Sequence, residues 1–361
     1  MSTVDKRLEA TRKSIDALDL NLLDLLSQRA TLNQEVARIK ADGGEDHIFY
    51  RPEREAQLRR ALVKANKGPL PDEEVSRLFQ EIVSACRALQ NSLRVAYLGP
   101  RGTFTEAALY RHFGHSVEGA PMESIDAVFR DVDAGLSHYG VVPVENSTEG
   151  VISHTLDMFI RSNLTISGEV QLRIHHQLLS KETSLDAVTK IYSHQQSLAQ
   201  CRQWLLSNCA TVALEAVSSN AEAARRVAGE PGTAAIAGKV AGEAYELGTL
   251  AANIEDESNN TTRFLVIGAR AAEPTDKDKT SLLLAAKNRP GALYALLKPF
   301  SDHAVSLTKI ESRPSRMAVW EYVFFVDVEG HRDDEKVAKA LVEIEEHASL
   351  FKVLGSYPRT T

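Results

Sequence analysis

The stretch LRVAYLGPRGTFTEAALYRHF, residues 93–113, passes from an apolar strand through a glycine turn into a helix. The same order returns in AVTKIYSHQQSLAQCRQWLL (187–206) and in GTAAIAGKVAGEAYEL (232–247). Strands alternating with helices predict an α/β sheet, and the length from Arg94 to about Gly268 suits two subdomains. GVVPVENSTEG (140–150) sets polar residues directly after a short apolar strand, where open α/β sheets bind ligands. NNTTRFLVIG (259–268) runs Asn, Thr and Arg into a buried strand pattern. It offers hydrogen-bond donors and one cation, with no strong base, nucleophile pair or metal-ligand cluster.

Before this region the pattern is helical. Ile15, Leu18, Leu22, Leu25, Leu32, Val36 and Ile39 follow alternating three- and four-residue steps, the seam of a packed bundle. A helix of about thirty-five residues extends ~50 Å. Nothing in a small monomer covers such a length, so a homodimer or higher homo-oligomer is expected. Pro52 suits the first turn of a second helix, RPEREAQLRRALVKAN (51–66). Gly68, Pro69 and Pro71 end it, and Asp72 is placed to cap a third helix running to about Gln90.

After the α/β region, AAEPTDKDK (271–279) has the composition of a linker. The remainder reads strand (Thr280–Ala286), helix (Pro290–Ser301), strands at about Val305–Ser312 and Ala318–Val328, helix (Asp333–His347) and strand (Phe351–Ser356). That is the βαββαβ order of an α+β ferredoxin-like fold. Domain boundaries are therefore expected at 1–92, 93–270, a linker 271–279, and 280–361.

Composition excludes several classes. With 361 residues, 43% hydrophobic and 25% charged, the chain is of ordinary globular type. A net charge of -7 argues against general nucleic-acid binding. Cys86, Cys201 and Cys209 form no paired motif, which fits a reducing compartment. The charged N-terminal residues hold no apolar signal core, and no apolar run suits a membrane span, so a cytoplasmic protein is expected.

Arg29 continues the helical seam between Leu25 and Leu32, and burying an unpaired cation costs several kcal/mol. Alone, it reads as paired to a partner carboxylate or snorkelling to water. Lys40 lies ~16 Å further along nearly the same face, within joint reach of one small anion. Arg12 is ~26 Å from Arg29 and serves a partner's site better than its own.

At this point TRKSIDALDLNLLDLLSQRATLNQEVARIK (11–40), followed by YRPERE (50–55), resembles the all-helical chorismate mutases. The resemblance implies an intertwined homodimer that rearranges chorismate to prephenate without a nucleophile or acid–base pair. It implies Arg12 (from the partner subunit), Arg29 and Arg54 as carboxylate-site cations, Lys40 and Gln90 as donors to the ether oxygen, and Glu55 on the substrate hydroxyl. Arg51 stands where an aspartate can occur, and Cys86 where a substrate-site serine does. YLGPRGTFTEAA, VVPVENSTEG, YSHQQSLAQC and NNTTRFLVIG, in that order, resemble the prephenate dehydratases, with two subdomains similar to periplasmic ligand-binding folds. This implies Thr262 as donor to the departing hydroxyl, Arg263 as a carboxylate anchor, and Asn146, Ser193, Gln200 and Glu145 lining the cleft. His194 reads as structural. NRPGALYALL (288–297) and KIESRP (309–314) are similar to ACT-domain motifs that bind phenylalanine. Gly291, Ala292 and Leu293 are then expected opposite Glu311, Ser312 and Arg313, with L-phenylalanine as allosteric inhibitor. No metal or cofactor is implied. Two other readings stay open: a helical segment that only dimerises, and a non-enzymatic sensor.

Overall fold

The computed structural model describes residues 2–42, 50–286, 289–314 and 322–360. The chain divides into two compact units: Met1–Arg51 with Arg59–Leu93 and Phe113–Val117, and Pro52–Leu58 with Arg94–His112 and Glu118–Thr361.

Helix α1 (Thr3–Asp42) is 40 residues long, or ~60 Å at 1.5 Å per residue. It begins earlier than the seam alone predicts because Ser2 and Asp5 cap it reciprocally: Asp5 N–H donates to Ser2 Oγ (3.1 Å) and Ser2 N–H to Asp5 Oδ2 (2.7 Å). The seven seam residues are between 44% and 63% exposed, an apolar stripe uncovered within this chain. Helix α2 (Pro52–Ala65) starts on Pro52 as the sequence predicts. Helix α3 (Asp72–Ala88) differs at its start: Pro71 is the N-cap and Asp72 already lies in the first turn. The Asp72 carboxylate instead accepts from the Asn66 side-chain amide (2.6 Å), tying the α2–α3 turn.

The larger unit begins with β1 (Arg94–Leu98), α4 (Phe104–Phe113), β2 (Glu118–Met122), α5 (Ile125–Asp133), β3 (Tyr139–Asn146), β4 (Gly150–Val151), α6 (Ser153–Arg161) and β5 (Thr165–Arg173). The chain then leaves to build a second sheet from β6 (Gln177–Ser180), β7 (Lys190–His194), α7 (Gln195–Gln200), α8 (Arg202–Asn208), β8 (Ala213–Val217), α9 (Asn220–Val227), β9 (Thr233–Ala237), α10 (Lys239–Tyr245) and β10 (Gly248–Ala251). It returns as β11 (Thr261–Gly268), which inserts between β3 and β5. The strand orders are β2-β1-β3-β11-β5, with β4 on β3, and β10-β6-β9-β7-β8. These are the two α/β subdomains expected, and the first is completed only by its last strand.

The C-terminal part comprises β12 (Asp278–Ala285), α11 (Ala292–Asp302), β13 (Leu307–Pro314), β14 (Tyr322–Glu329), α12 (Glu335–His347) and β15 (Leu350–Pro358), in sheet order β13-β14-β12-β15. This is the βαββαβ arrangement; the expected beginning of its third strand, at 318–321, lies outside the described residues. Leu282, Leu284, Val326 and Val328 pack under the two helices. Leu283, Val323, Phe325, Leu354 and Tyr357, on the other face, share one core with Ile166, Leu265 and Ile267 of the first subdomain. Gly355 permits the closest approach, since a Cβ there would meet the Ile166 carbonyl oxygen at 2.1 Å.

The expected linker is not a free tether. Ala272, Thr275, Asp278 and Lys279 are buried. The Asp278 carboxylate accepts from both the N–H and the hydroxyl of Thr275 (2.5 Å each), and His331 Nε2 meets the Ala272 carbonyl (3.2 Å). Composition signalled polarity there but not that these polar groups are satisfied internally.

Candidate active and effector sites

Strand alternation sorts the NNTTRFLVIG residues. Thr262 pairs with Asn146 across β11 and β3, and Arg263 pairs with Glu145. Adjacent rungs face opposite sides of a sheet. The Asn146–Thr262 rung carries the polar network linked to the second subdomain, and the Glu145–Arg263 rung carries the ion pairs to the strands of the C-terminal sheet.

On the first face, Asn146 Nδ2 donates to Thr262 Oγ1 (2.8 Å) and to Asn260 Oδ1 (2.8 Å). Its own Oδ1 accepts the N–H groups of Thr148 and Glu149 (3.0 Å each), which fixes the amide's orientation. Thr262 therefore accepts from Asn146 and keeps its hydroxyl proton to give elsewhere. Gln200, at the end of α7, continues the network across to the second subdomain: its Oε1 accepts from Asn260 Nδ2 (3.2 Å) and meets His176 Nε2 (2.9 Å). With both acceptor positions occupied, the Gln200 NH₂ group is the part available to a ligand. His176 is buried, stacked edge-on to Phe104 (5.7 Å), and its Nδ1 has no hydrogen-bond partner. Only an Nε2–H tautomer serves Gln200, and burial pushes the imidazole pKa below its ordinary value, favouring that neutral form.

Three expected residues stand differently. Ser193 is wholly buried, and its hydroxyl is directed at Asn220 Oδ1 (2.9 Å) and the Ile236 carbonyl (2.8 Å). It does not line the cleft; it holds Asn220, whose Nδ2 donates to Ser197 (2.8 Å) and whose Oδ1 accepts His194 N–H (3.0 Å) at the start of α7. Arg263 does not present a cation beside Thr262. Its Nε donates to Glu169 (2.8 Å), its Nη2 to the Tyr357 hydroxyl (3.0 Å), and its Nη1 pairs with Asp327 (2.7 Å). Burial by itself would lower the Arg263 pKa, but Tyr357, Asp327 and Glu169 outweigh it and raise it. Glu145 is likewise turned to Lys309 (2.6 Å).

In the smaller unit, Arg12 is exposed on α1, while Arg29 and Lys40 are half-buried. One guanidinium nitrogen of Arg29, Nη1, is buried without a hydrogen-bond partner, a costly arrangement unless an anion meets it. Gln90, two residues past α3, donates from Nε2 to the Asn33 carbonyl of α1 (2.9 Å), one helical turn beyond Arg29 in sequence. Cys86 is buried and Gln90 half-buried. In the larger unit, Arg54 is exposed and Glu55 half-buried in the first turn of α2; the N-cap of that helix, the exposed Arg51, ends the first segment of the smaller unit.

In the C-terminal part, Gly291 is the N-cap of α11 with φ +79, a left-handed conformation that suits glycine. It leads directly into Ala292 and the exposed Leu293. Glu311, Ser312 and Arg313 are successive strand residues and cannot share one face. Ser312 pairs with Phe324, which packs under the helices, whereas Glu311 and Arg313 pair with Phe325 and Val323 of the opposite face. Arg313 forms an ion pair with Asp157 of α6 (3.1 Å). Of the three, Ser312 shares the helix-bearing face of the sheet with α11.

Among the described residues no cluster of three metal-ligating side chains occurs, and no helix is long and apolar enough to cross a membrane.

The family models that match divide the chain as its architecture does: "Chorismate mutase type II" over residues 11–91, "Prephenate dehydratase" over 95–272 and "ACT domain" over 280–346. Two enzymatic modules and an ACT domain thus define a bifunctional class of enzyme. A bifunctional chorismate mutase/prephenate dehydratase of Stutzerimonas stutzeri is 53% identical over 99% of both chains. Among solved structures, the prephenate dehydratase of Arthrobacter aurescens in complex with L-Phe is 31% identical, covering 74% of this chain and 90% of its own, with a TM-score of 0.69. A quorum-quenching acylase, GqqA, also reaches a TM-score of 0.69 at 27% identity, covering 74% of this chain and 98% of its own. The chain belongs to the bifunctional chorismate mutase/prephenate dehydratases.

Proposed function

We propose that the helical segment rearranges chorismate to prephenate, that the two-subdomain segment converts prephenate to phenylpyruvate, and that L-phenylalanine inhibits through the ACT segment. The observation that carries the dehydratase reading is the Thr262 hydroxyl, which accepts from Asn146 and so keeps its proton to give to a substrate. In the reaction the ring loses carbon dioxide and its hydroxyl together. The C–C pair moves into the ring, the C–O bond breaks, and aromatisation supplies the driving force. A threonine is too weak an acid to protonate a free alcohol, but a hydrogen bond to an oxygen developing negative charge stabilises the transition state. Gln200 NH₂ is the second donor. Asn146 and Asn260 keep Thr262 and Gln200 in register.

For the mutase, catalysis is the holding of a dicarboxylate in a reactive shape. Arg12, Arg29 and Arg54 are assigned to the carboxylates, Lys40 and Gln90 to the ether oxygen, and Glu55 to the hydroxyl. Support comes from the unpartnered Arg29 Nη1 and from the Gln90 hydrogen bond to α1 one turn further along the helix. The uncovered α1 seam supports a homodimer in which Arg12 reaches the partner's site. Gly291, Ala292, Leu293 and Ser312 are assigned to the effector. Residues 1–92, 93–270 and 280–361 are the corresponding domains, in a cytoplasmic enzyme.

The test is a chorismate time course that follows chorismate, prephenate and phenylpyruvate separately. Phenylpyruvate formed from chorismate supports both activities. Untouched chorismate with prephenate still consumed would leave the helical segment as a dimerisation module; neither substrate consumed would favour a sensor.

A further inference from the structure

Arg263 and Glu145 lie one residue from Thr262 and Asn146, yet face the ACT sheet. Every strand of that sheet sends one side chain to this rung or its neighbour Glu169. Lys309 of β13 meets Glu145 (2.6 Å), Asp327 of β14 pairs with Arg263 Nη1 (2.7 Å), Lys279 of β12 binds Glu169 (2.8 Å), and the Tyr357 hydroxyl of β15 accepts from Arg263 Nη2 (3.0 Å). Ser281 knits the ACT side together, donating to Asp327 Oδ1 (2.5 Å) and sharing a hydrogen bond with Tyr357 (2.8 Å). Three cations, Arg263, Lys279 and Lys309, thus face three carboxylates, Glu145, Glu169 and Asp327. The β11–β3 register shifts immediately after Arg263, where β3 carries an extra residue. Such bulges re-aim side chains and occur beside active sites.

We propose that Arg263 is a positioning residue rather than a substrate anchor, and that the Arg263–Asp327 and Glu145–Lys309 pairs transmit the effector-bound state of the ACT sheet to the Thr262–Asn146 rung. This rests on the reading that L-phenylalanine inhibits the dehydratase. Lys309 precedes Ser312 by three residues on one strand, so a displacement of β13 on ligand binding moves the Lys309 contact with it. A balanced cluster has few intermediate arrangements, because breaking one pair leaves a charge in a poorly hydrated place. Coupling demands such a two-state element.

The experiment uses the full-length chain. L-phenylalanine binding is measured by calorimetry, and prephenate turnover with and without saturating L-phenylalanine, for the parent, Lys309→Met and Asp327→Asn. Binding within about threefold of the parent, with inhibition weakened about tenfold or more, is the result expected. Unchanged inhibition in both variants overturns the coupling, as does loss of binding in parallel with inhibition. A parent that is not inhibited at all overturns the regulatory reading itself, and is told apart by that control. Arg263→Gln separates positioning from anchoring: a fall in kcat with KM within about threefold is expected. A KM raised a hundredfold with kcat and inhibition intact would make Arg263 a substrate anchor. Lys309→Met removes a partly exposed group and keeps the test open if Asp327→Asn does not fold.

Discussion

Replacing Thr262 by valine removes one hydroxyl and little else. The residue is 8% exposed in the centre of a sheet, and valine is close to it in size and suits a strand equally well. Asn146 Nδ2 loses one acceptor but keeps Asn260 Oδ1 at 2.8 Å. The stability cost is therefore that of one hydrogen bond, about 1 kcal/mol, out of a domain stability of about 5–15 kcal/mol. The catalytic cost is larger. A donor aimed at the oxygen on which charge develops is worth about 3–4 kcal/mol, a fall in kcat of about 10²–10³. Unfolding cannot account for a loss of that size while the domain remains folded, so the two effects separate. The assay follows phenylpyruvate formation from prephenate, with chorismate consumption by the same preparation as internal control. Dehydration reduced a hundredfold or more, beside unaltered mutase turnover, is expected. A variant kcat within about threefold of the parent would remove the Thr262 proton from the mechanism.

The seam argument predicts that Arg29→Ala lowers chorismate turnover at least a hundredfold and spares prephenate turnover, both readable in the same time course; unchanged chorismate consumption would refute it. His176→Phe frees one acceptor position of Gln200 and should raise KM for prephenate about tenfold, whereas His176→Gln, which can still donate, should restore most of it. Because burial lowers the His176 pKa, the unfolded chain binds the proton first; its stabilising contribution is complete above the unfolded value near 6.5 and declines as pH falls. His176→Gln should therefore flatten the acid side of a Tm-versus-pH curve, and an identical curve would contradict the assignment. Ser312→Ala should weaken L-phenylalanine binding in calorimetry by about 1 kcal/mol, roughly fivefold; equal affinity would put the effector elsewhere.

The sequence carried the order of elements well, because the three segments have different periodicities and each signal repeats. The ends of α1 and α3 were less legible. A capping box at Ser2 and Asp5 extends the first helix, and Pro71 takes the cap that Asp72 suggested. The motifs pointed to Thr262, Asn146 and Gln200, which the structure joins in one hydrogen-bond network through Asn260. Their network was partly readable too: Asn260 lies two residues before Thr262 and so on its face. The two-residue alternation also carried the warning about Arg263, since adjacent strand residues cannot face one ligand. The partners of Arg263 were not legible. Glu169, Asp327 and Tyr357 lie 94, 64 and 94 positions from it, and nothing local marks them as a cluster. His176 was hidden for a similar reason: its meaning depends on Gln200 and Phe104, contacts made only by the tertiary fold.

The late return of β11 also bears on how this enzyme is made. Thr262 bonds to Asn146 across 116 positions of sequence, an interval that takes a ribosome about 6–23 s at 5–20 residues per second. Through that interval β3, joined by β5 once it is made, waits with the edge that β11 will join exposed, while the residues of the second sheet emerge. Unpaired edges are the surfaces on which nascent chains aggregate. The strand that closes them is also the one that carries Thr262, so on the proposed mechanism the first subdomain acquires its hydroxyl donor in the same event that protects it.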